Sequence, residues 1–180
     1  MAALSRNSTR ICLIGAECTG KTTLAARLAD RFIAPWVPEH ARQYAVSIGR
    51  PLMFDDVGPI ARGQMALEDG VATDGLLILD TDLISTAVYS RHHYGRCPEW
   101  VVAEAQTRLA DLYLLTDIDV PWTADEVRDS GARREALHAE FAVALAALEA
   151  RVVIISGSWE ARFAAAKAAI NAALSLRKAL

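Results

Sequence analysis

Residues 11–23 read ICLIGAECTGKTT, and this stretch decides the fold. A short apolar run leads into a loop that matches the pattern GxxxxGK(S/T) from Gly15 to Thr22. An amphipathic run follows as far as Arg31, so the predicted order is strand, glycine-flanked loop and helix. This order predicts a phosphate-binding loop, the name used below for residues 15–23.

The residue types in this loop indicate how it would hold a nucleoside triphosphate. Its two glycines let the backbone curl, so that successive N–H groups and the helix N-terminus point at one anionic centre. Lys21 would add a cation for the β- and γ-phosphates, and the Thr22 hydroxyl would ligate Mg²⁺. We therefore expect ATP and Mg²⁺ as the cofactors. The predicted nucleotide contacts are Gly15, Glu17, Cys18, Thr19, Gly20, Lys21, Thr22 and Thr23.

Outside the loop, short apolar runs alternate with longer helical patterns. The predicted strands lie at 10–14, 33–37, 76–80, 112–115 and 152–155. The predicted helices lie at 21–31, 39–48, 54–73, 83–94, 98–110, 133–150 and 158–178. Several strands are apolar throughout, which is typical of a parallel sheet that helices cover on both faces. The pattern predicts a three-layer α/β/α sandwich.

Length and composition favour one globular domain. The chain has 180 residues, of which 53% are hydrophobic and 23% charged, enough for one core. We expect a single domain over 10–180, preceded by a polar, mobile segment at 1–9. A long polar stretch at about 117–134 looks like a lid, because long loops in compact domains are usually functional or disordered.

Charge and cysteine content exclude several function classes. The formal net charge is -3, and no basic run provides a footprint for nucleic acid. The three cysteines form no CxxC pair, which disfavours a metal knuckle or a disulfide-stapled secreted domain. No export signal or membrane-spanning run is visible, so we expect a cytoplasmic protein without a membrane partner. The sequence leaves a homo-oligomer open.

Two carboxylates follow the apolar run at 76–79. In a fold of this kind, Asp80 could orient the waters around Mg²⁺. Strand alternation would place Asp80 and Asp82 on one side, so that both face the phosphate cleft. Alternatively, Asp82 caps the helix that begins at residue 83.

The segment after the second predicted strand contains a candidate for the acceptor site. Glu39 could accept the proton of an acceptor hydroxyl, because ligands collect outside the carboxyl ends of parallel strands. It could instead be an acidic first-turn residue that favours the helix dipole. Arg42 could bind a substrate carboxylate or phosphate, or pair with Glu39 on the helix surface.

The predicted lid is rich in arginine. Arg128, Arg133 and Arg134 could close over the triphosphate and offset charge that develops during transfer. Trp122 could stack on a flat ring of the substrate. The alternative is a solvated loop with helix-capping residues.

Four segments together resemble a known family. In order, they are GAECTGKTTLAARLA, PEHARQYA, LLILDTDLISTAVYSRHHYG and LYLLTDIDVPWTADEVRDSG. They are similar to the ribosylnicotinamide kinase domain of the NAD-biosynthesis regulator family, within the AAA-type P-loop ATPase and kinase-like group. The resemblance runs from about residue 10 to 165. Cys18 departs from it, since the family often has Ser there.

The resemblance implies a P-loop kinase sheet with strand order 2-3-1-4-5. It also implies phosphorylation of the 5′-hydroxyl of nicotinamide riboside by Mg-ATP. Asp80 and Asp82 would serve magnesium or the ribose, and Arg128 with Arg133 or Arg134 would be lid arginines. No HxGH nucleotidyltransferase signature is present, so we expect the kinase module alone.

Two other functions remain open at this point. One is a kinase that acts on another nucleoside or small metabolite. The other is a non-catalytic ATP-gated binding module, in which the loop would switch a partner-facing surface. The partners expected in every case are a nucleoside triphosphate and, for a kinase, a small-molecule acceptor.

Overall fold

The structure, a computed structural model, describes residues 8–120 and 131–178. Five parallel strands form one sheet in the order β2-β3-β1-β4-β5. The strands are β1 (Thr9–Ile14), β2 (Trp36–Val37), β3 (Leu76–Asp80), β4 (Leu112–Thr116) and β5 (Val152–Ile155). This order confirms the strand order that the resemblance implied.

The helices lie between the strands as parallel crossovers require. They are α1 (Lys21–Phe32), α2 (His40–Ile48), α3 (Val57–Asp69), α4 (Leu83–Tyr94), α5 (Glu99–Thr107), α6 (Gly131–Ala147) and α7 (Trp159–Lys178). A 3₁₀ turn, Phe54–Asp56, precedes α3. Among the described residues, none of these helices has the length and apolar character needed to span a bilayer.

Successive side chains of the central strand, β1, point to opposite faces of the sheet and belong to two separate hydrophobic cores. Ile11 and Leu13 pack with the apolar faces of α1 and α7. Cys12 and Ile14 pack with α3, α4, α5 and α6 on the other face of the sheet. Because neither face of β1 meets water, its residues from Ile11 to Ile14 are apolar without alternation. The three-layer α/β/α fold is confirmed.

The second predicted strand was too long. Residues 33–37 were expected to form it, but only Trp36–Val37 are in β2. Ile33 ends α1 in the left-handed region with φ 52°, where its N–H bonds to the last turn of the helix, and its side chain is 95% exposed. The apolar run therefore begins at a helix C-terminus, and its first residue does not face the core.

The predicted helix at 54–73 is divided in the structure into the 3₁₀ turn and α3. Asp56 joins them to the preceding segment, since its carboxylate accepts hydrogen bonds from the Tyr44 hydroxyl and the Arg50 guanidinium. These bonds hold the pKa of Asp56 well below its usual range. The segment between α2 and α3 is thereby tied back to α2.

Two domain-level predictions fall partly outside the described residues. Of the segment 1–9, predicted to be mobile, residues 1–7 lie outside them, and Thr9 already belongs to β1. Of the lid predicted at about 117–134, residues 121–130 lie outside them, including Trp122 and Arg128.

Candidate active site

The phosphate-binding loop is shaped by contacts with the end of β4. Gly15 has φ 138°, and a Cβ added there would lie 2.7 Å from the Thr116 Oγ1 and 2.9 Å from the Thr116 carbonyl oxygen. The Thr19 hydroxyl lies 2.8 Å from the Ala16 carbonyl oxygen and 2.7 Å from the Thr116 hydroxyl. Gly15 is therefore required both for its backbone angle and for the close approach of a neighbouring strand.

The loop ends at the N-terminus of α1. Gly20, the N-cap residue, has φ 81° and has no side chain that could bond the first N–H groups of the helix. Such N–H groups have no partner within a helix, and the helix dipole favours an anion beside them. The first turn of α1 therefore presents backbone donors suited to a phosphate.

Lys21 brings a cation to the same place. Its Nζ donates to the carbonyl oxygens of Gly15 at 2.9 Å and Ala16 at 2.7 Å. Burial lowers the pKa of the ammonium group, while the carboxylates of Glu39, Asp80 and Glu17 act in the opposite direction. A half-buried cation within electrostatic range of three carboxylates is suited to bind polyphosphate together with a divalent cation.

Asp80 lies at the end of β3 with 1% of its surface exposed. Its Oδ1 has no hydrogen-bond partner among the described residues, and Thr22 and Lys21 lie close enough to lower its pKa. Burial raises the pKa of Asp80, against the lowering effects of Thr22, Lys21 and Arg42. A hydroxyl beside a carboxylate with an unpartnered oxygen is a donor set that fits Mg²⁺, which prefers oxygen ligands and keeps several waters.

Glu39 and Arg42 lie on α2, facing this group. Glu39 is the N-cap residue of α2 but makes no side-chain cap hydrogen bond. Its Oε2 lies 3.6 Å from the Arg42 Nε, so the predicted pairing on the helix surface is present. The Glu39 carboxylate also raises the pKa of Lys21, so the two groups lie within electrostatic range of each other. The structure thus brings together Glu39, Arg42, Lys21 and Asp80, from three separate segments.

Asp82 requires a correction. We expected strand alternation to aim Asp80 and Asp82 at the same cleft, but the strand ends at Asp80 and Thr81 has φ 87°. The Asp82 carboxylate instead caps α4 by accepting the Ile84 N–H at 2.9 Å, and it accepts the Tyr113 hydroxyl at 2.7 Å. The helix-cap interpretation therefore describes Asp82, because the turn at Thr81 interrupts the two-residue period.

Asp82 makes the stability of the folded protein depend on pH. Burial, foremost, raises its pKa from 3.8 to about 6. The folded state then binds this proton more tightly than the unfolded state, so the contribution of Asp82 to stability increases as the pH falls from about 6 to about 4. Above about pH 6, its ionised form is unfavourable in the folded state.

We predict that Asp82→Asn increases the free energy of unfolding near neutral pH, by up to about 3 kcal/mol. Asparagine keeps an oxygen for the Ile84 N–H and removes the buried charge, whereas its amide nitrogen cannot accept the Tyr113 hydroxyl, so this value is an upper limit. Urea unfolding at about pH 7.5 and about pH 4.5 checks this, and the advantage of the variant should shrink at the lower pH. An equal difference at both pH values would contradict the prediction.

Of the lid arginines, only Arg134 has a side chain that the structure describes. It lies on α6 and is 6% exposed, with its Nη1 donating to the Val120 carbonyl at 3.1 Å and its Nη2 to the Cys18 carbonyl at 3.5 Å. Arg133 belongs to the same helix. Arg134 therefore contacts the phosphate-binding loop from the end of the predicted lid.

Glu17 and Cys18 lie in the phosphate-binding loop, between its two glycines. Glu17 accepts a hydrogen bond from the Tyr89 hydroxyl at 2.9 Å, which joins the loop to α4. Cys18 has φ 55°, a backbone conformation uncommon outside glycine. The structure therefore places both residues in the loop as predicted, and it adds Tyr89 as a support that the sequence did not indicate.

Arg162 is a site residue that sequence reasoning missed. It lies on α7 with no exposed surface. Its guanidinium donates to the carbonyl oxygens of Gly157 at 2.9 Å, Asp117 at 3.1 Å and Thr19 at 3.3 Å, and it pairs with Asp119. One side chain thus joins the phosphate-binding loop to the loops after β4 and β5. No local pattern could indicate this, because Thr19 is 143 positions away.

Trp159 lies against the same loop. A Cβ added to Gly20 would overlap its indole ring, and 46% of the residue surface is exposed. The structure therefore places Trp159 directly beside the start of α1.

With this geometry described, the family can be identified. A family model described as an AAA domain matches residues 10–162. The chain belongs to this AAA domain family. The match includes the phosphate-binding loop, all five strands and Arg162.

Curated relatives of this AAA domain are found in two bacteria. The trifunctional NAD biosynthesis/regulator protein NadR of Salmonella typhimurium is 29% identical over 127 residues, which cover 67% of this chain and 31% of that protein. NadR of Escherichia coli matches to the same extent. The chain therefore spans about a third of the length of these relatives. The resemblance to the NAD-biosynthesis regulator family is confirmed.

Solved structures agree with this relationship. A crystal structure of NadR in complex with NR is 28% identical, with a TM-score of 0.74, and the match covers 94% of this chain and 51% of that one. Thymidylate kinase of Ehrlichia chaffeensis, 12% identical, has a TM-score of 0.66 over 91% of this chain and 97% of its own. The latter likeness concerns the fold alone. The NadR match supports the family assignment, and both matches agree with the parallel-sheet fold described above.

Proposed function

We propose that the chain is an ATP-dependent kinase that phosphorylates the 5′-hydroxyl of nicotinamide riboside to give nicotinamide mononucleotide. The observation that carries the proposal is the position of Glu39, a carboxylate that follows the carboxyl end of β2 and lies within electrostatic range of Lys21. A nucleotide switch has no need of a carboxylate there, whereas a kinase uses one to receive or orient the acceptor hydroxyl. The likeness to NadR, one structure of which contains NR, supports this choice of acceptor.

In the proposed reaction, the acceptor oxygen attacks the γ-phosphorus of ATP. A new P–O bond forms, the bond to the β-phosphate oxygen breaks, and ADP leaves. The hydroxyl proton passes to the Glu39 carboxylate. Catalysis then depends on positioning and electrostatics, because the protein forms no covalent bond to the phosphoryl group.

Each part of the site has a task in this scheme. The first-turn N–H groups of α1 and the Lys21 ammonium hold the β- and γ-phosphates. Thr22 and Asp80 would hold Mg²⁺, which when bound neutralises phosphate charge. Arg134 approaches the loop through the Cys18 carbonyl, so it would stabilise the loop and the nearby nucleotide. Arg128 and Trp122 stay predictions for the lid.

The acceptor is tested by a panel of substrates. Purified protein is incubated with Mg-ATP and a series of nucleosides that includes nicotinamide riboside, and ADP and the monophosphate are measured by mass. We expect nicotinamide mononucleotide with equimolar ADP. A monophosphate from another nucleoside alone would assign a different acceptor. ATP binding without any product would favour the non-catalytic ATP-gated module.

A further inference from the structure

The start of α2, where Glu39 lies, is held by a glutamine on α3. The His40 N–H donates to the Gln64 Oε1 at 3.0 Å, and Gln64 is 2% exposed. His40 follows Glu39 directly and is the first residue of α2. A helix leaves its first N–H groups without an internal partner, and the usual partner is the side chain of the N-cap residue. For the His40 N–H, the partner is instead the Gln64 side chain, which comes from another helix.

Gln64 is in turn fixed by a buried ionic cluster. Its Nε2 lies 3.5 Å from the Glu68 Oε1, one helical turn further along α3. The Glu68 Oε2 pairs with the Arg10 Nη2 at 2.5 Å and with the Arg108 Nη2 at 3.2 Å. Glu68, Arg10 and Arg108 are each less than a tenth exposed. These buried bonds leave the Gln64 amide little freedom to move.

The cluster connects α2 with the strand that leads into the phosphate-binding loop. Arg10 lies on β1, which ends one residue before Gly15. The polar connection therefore runs from the His40 N–H through Gln64 and Glu68 to Arg10. It relates the position of Glu39 to that of the loop that would hold ATP, although the two segments are separate in sequence.

A second contact fixes the same residue. A Cβ added to Gly63 would overlap the His40 imidazole, so this ring packs directly on the α3 backbone. Gly63 and Gln64 thus hold the ring and the backbone N–H of His40 from one side. Glu39 makes no side-chain cap hydrogen bond, and Arg42, with which it pairs, lies on α2 itself, so the position of its carboxylate depends on where α2 begins.

We propose that Gln64 is a positioning residue that fixes the start of α2 and so places the Glu39 carboxylate beside the phosphate-binding loop. This inference rests on the proposed function for its effect on catalysis. Its structural part, the dependence of the α2 N-terminus on Gln64, can be measured without an acceptor. Gln64 acts through Glu39, since its own side chain bonds to the His40 N–H and the Glu68 carboxylate.

The first test is Gln64→Met, which keeps the length of the side chain and removes the acceptor oxygen. The matched control is Gln106→Met, on the exposed surface of α5. We expect kcat with nicotinamide riboside to fall by about 10-fold with an unchanged KM for ATP, since a small misplacement of a positioned group is costly. If Gln64→Met does not fold, Gln64→Asn, one methylene shorter, replaces it.

A double-mutant comparison separates positioning from general destabilisation. In a Glu39→Gln background, Gln64→Met should reduce kcat by less than about 2-fold, because the group that it positions is already disabled. A further 10-fold loss in that background would contradict the inference. So would a loss confined to the KM for ATP.

The measurement that needs no acceptor is amide hydrogen exchange in the full chain. Gln64→Met should accelerate exchange at the first turn of α2, around His40, whereas Gln106→Met should not. Unchanged exchange at α2 would overturn the inference whatever the acceptor is. Accelerated exchange in a protein that phosphorylates no nucleoside would sustain the structural link and reject the proposed function.

Discussion

Replacing Lys21 with alanine should reduce ATP turnover by about 1,000-fold or more while the protein stays folded. The Lys21 ammonium lies at the phosphate-binding loop, where it donates to the carbonyl oxygens of Gly15 and Ala16. Its loss leaves the γ-phosphate without that charge as the bond to ADP breaks. The fold should survive because burial already disfavours the charged form of Lys21.

ADP release under saturating Mg-ATP and acceptor measures this effect, and circular dichroism verifies the fold. Lys167→Ala, on α7, is the matched control, since it removes a lysine away from the phosphate-binding loop. The control should turn over at the rate of the unmodified protein. Near-normal turnover by Lys21→Ala would refute the phosphate role of the loop lysine.

Replacing Glu39 with glutamine should slow acceptor phosphorylation by roughly 100-fold or more. Glutamine has nearly the same shape but cannot take a proton from the acceptor hydroxyl. Nucleotide affinity should change little, because the phosphates would be held by Lys21 and the first turn of α1. The expected signature is a reduced kcat with an unchanged KM for ATP.

The control for Glu39 is Glu99→Gln, which removes an acidic residue from the first turn of α5. Both substitutions remove a negative charge near a helix N-terminus, so a shared small effect would reflect the helix dipole. Initial rates of both variants are measured with the acceptor that the substrate panel identifies. They decide whether Glu39 acts on the acceptor hydroxyl or only through the helix dipole. If Glu39→Gln keeps the full rate, Glu39 has no part in the mechanism.

Much of the fold could be predicted because its signals are local. The sequence around Gly15 and Lys21 predicted a strand, a loop and a helix, and all three are present. Apolar strands without alternation predicted the covered parallel sheet. The error at Ile33 also has a local cause. In the sequence alone, an apolar residue at a helix C-terminus resembles the first residue of a strand.

The candidate site could be predicted only in part. Asp80 and Asp82 look equivalent in sequence, and the backbone at Thr81 separates them into a cleft residue and a helix cap. Arg162 and Gln64 have no local signature, because their partners come from distant segments. Long-range hydrogen bonds of this kind depend on how layers pack, which residue spacing does not encode.

The sequence by itself determined the fold type and the phosphate-binding loop, since glycines, a lysine and a threonine at fixed spacing produce a local backbone geometry. Only the tertiary structure decided which carboxylates meet that loop and which residues hold them in place. The parallel strands bring their carboxyl ends to one edge of the sheet, so Glu39, Asp80 and Lys21 become neighbours there. Their proximity results from sheet order and buried polar bonds, both of which exist only once the layers have assembled.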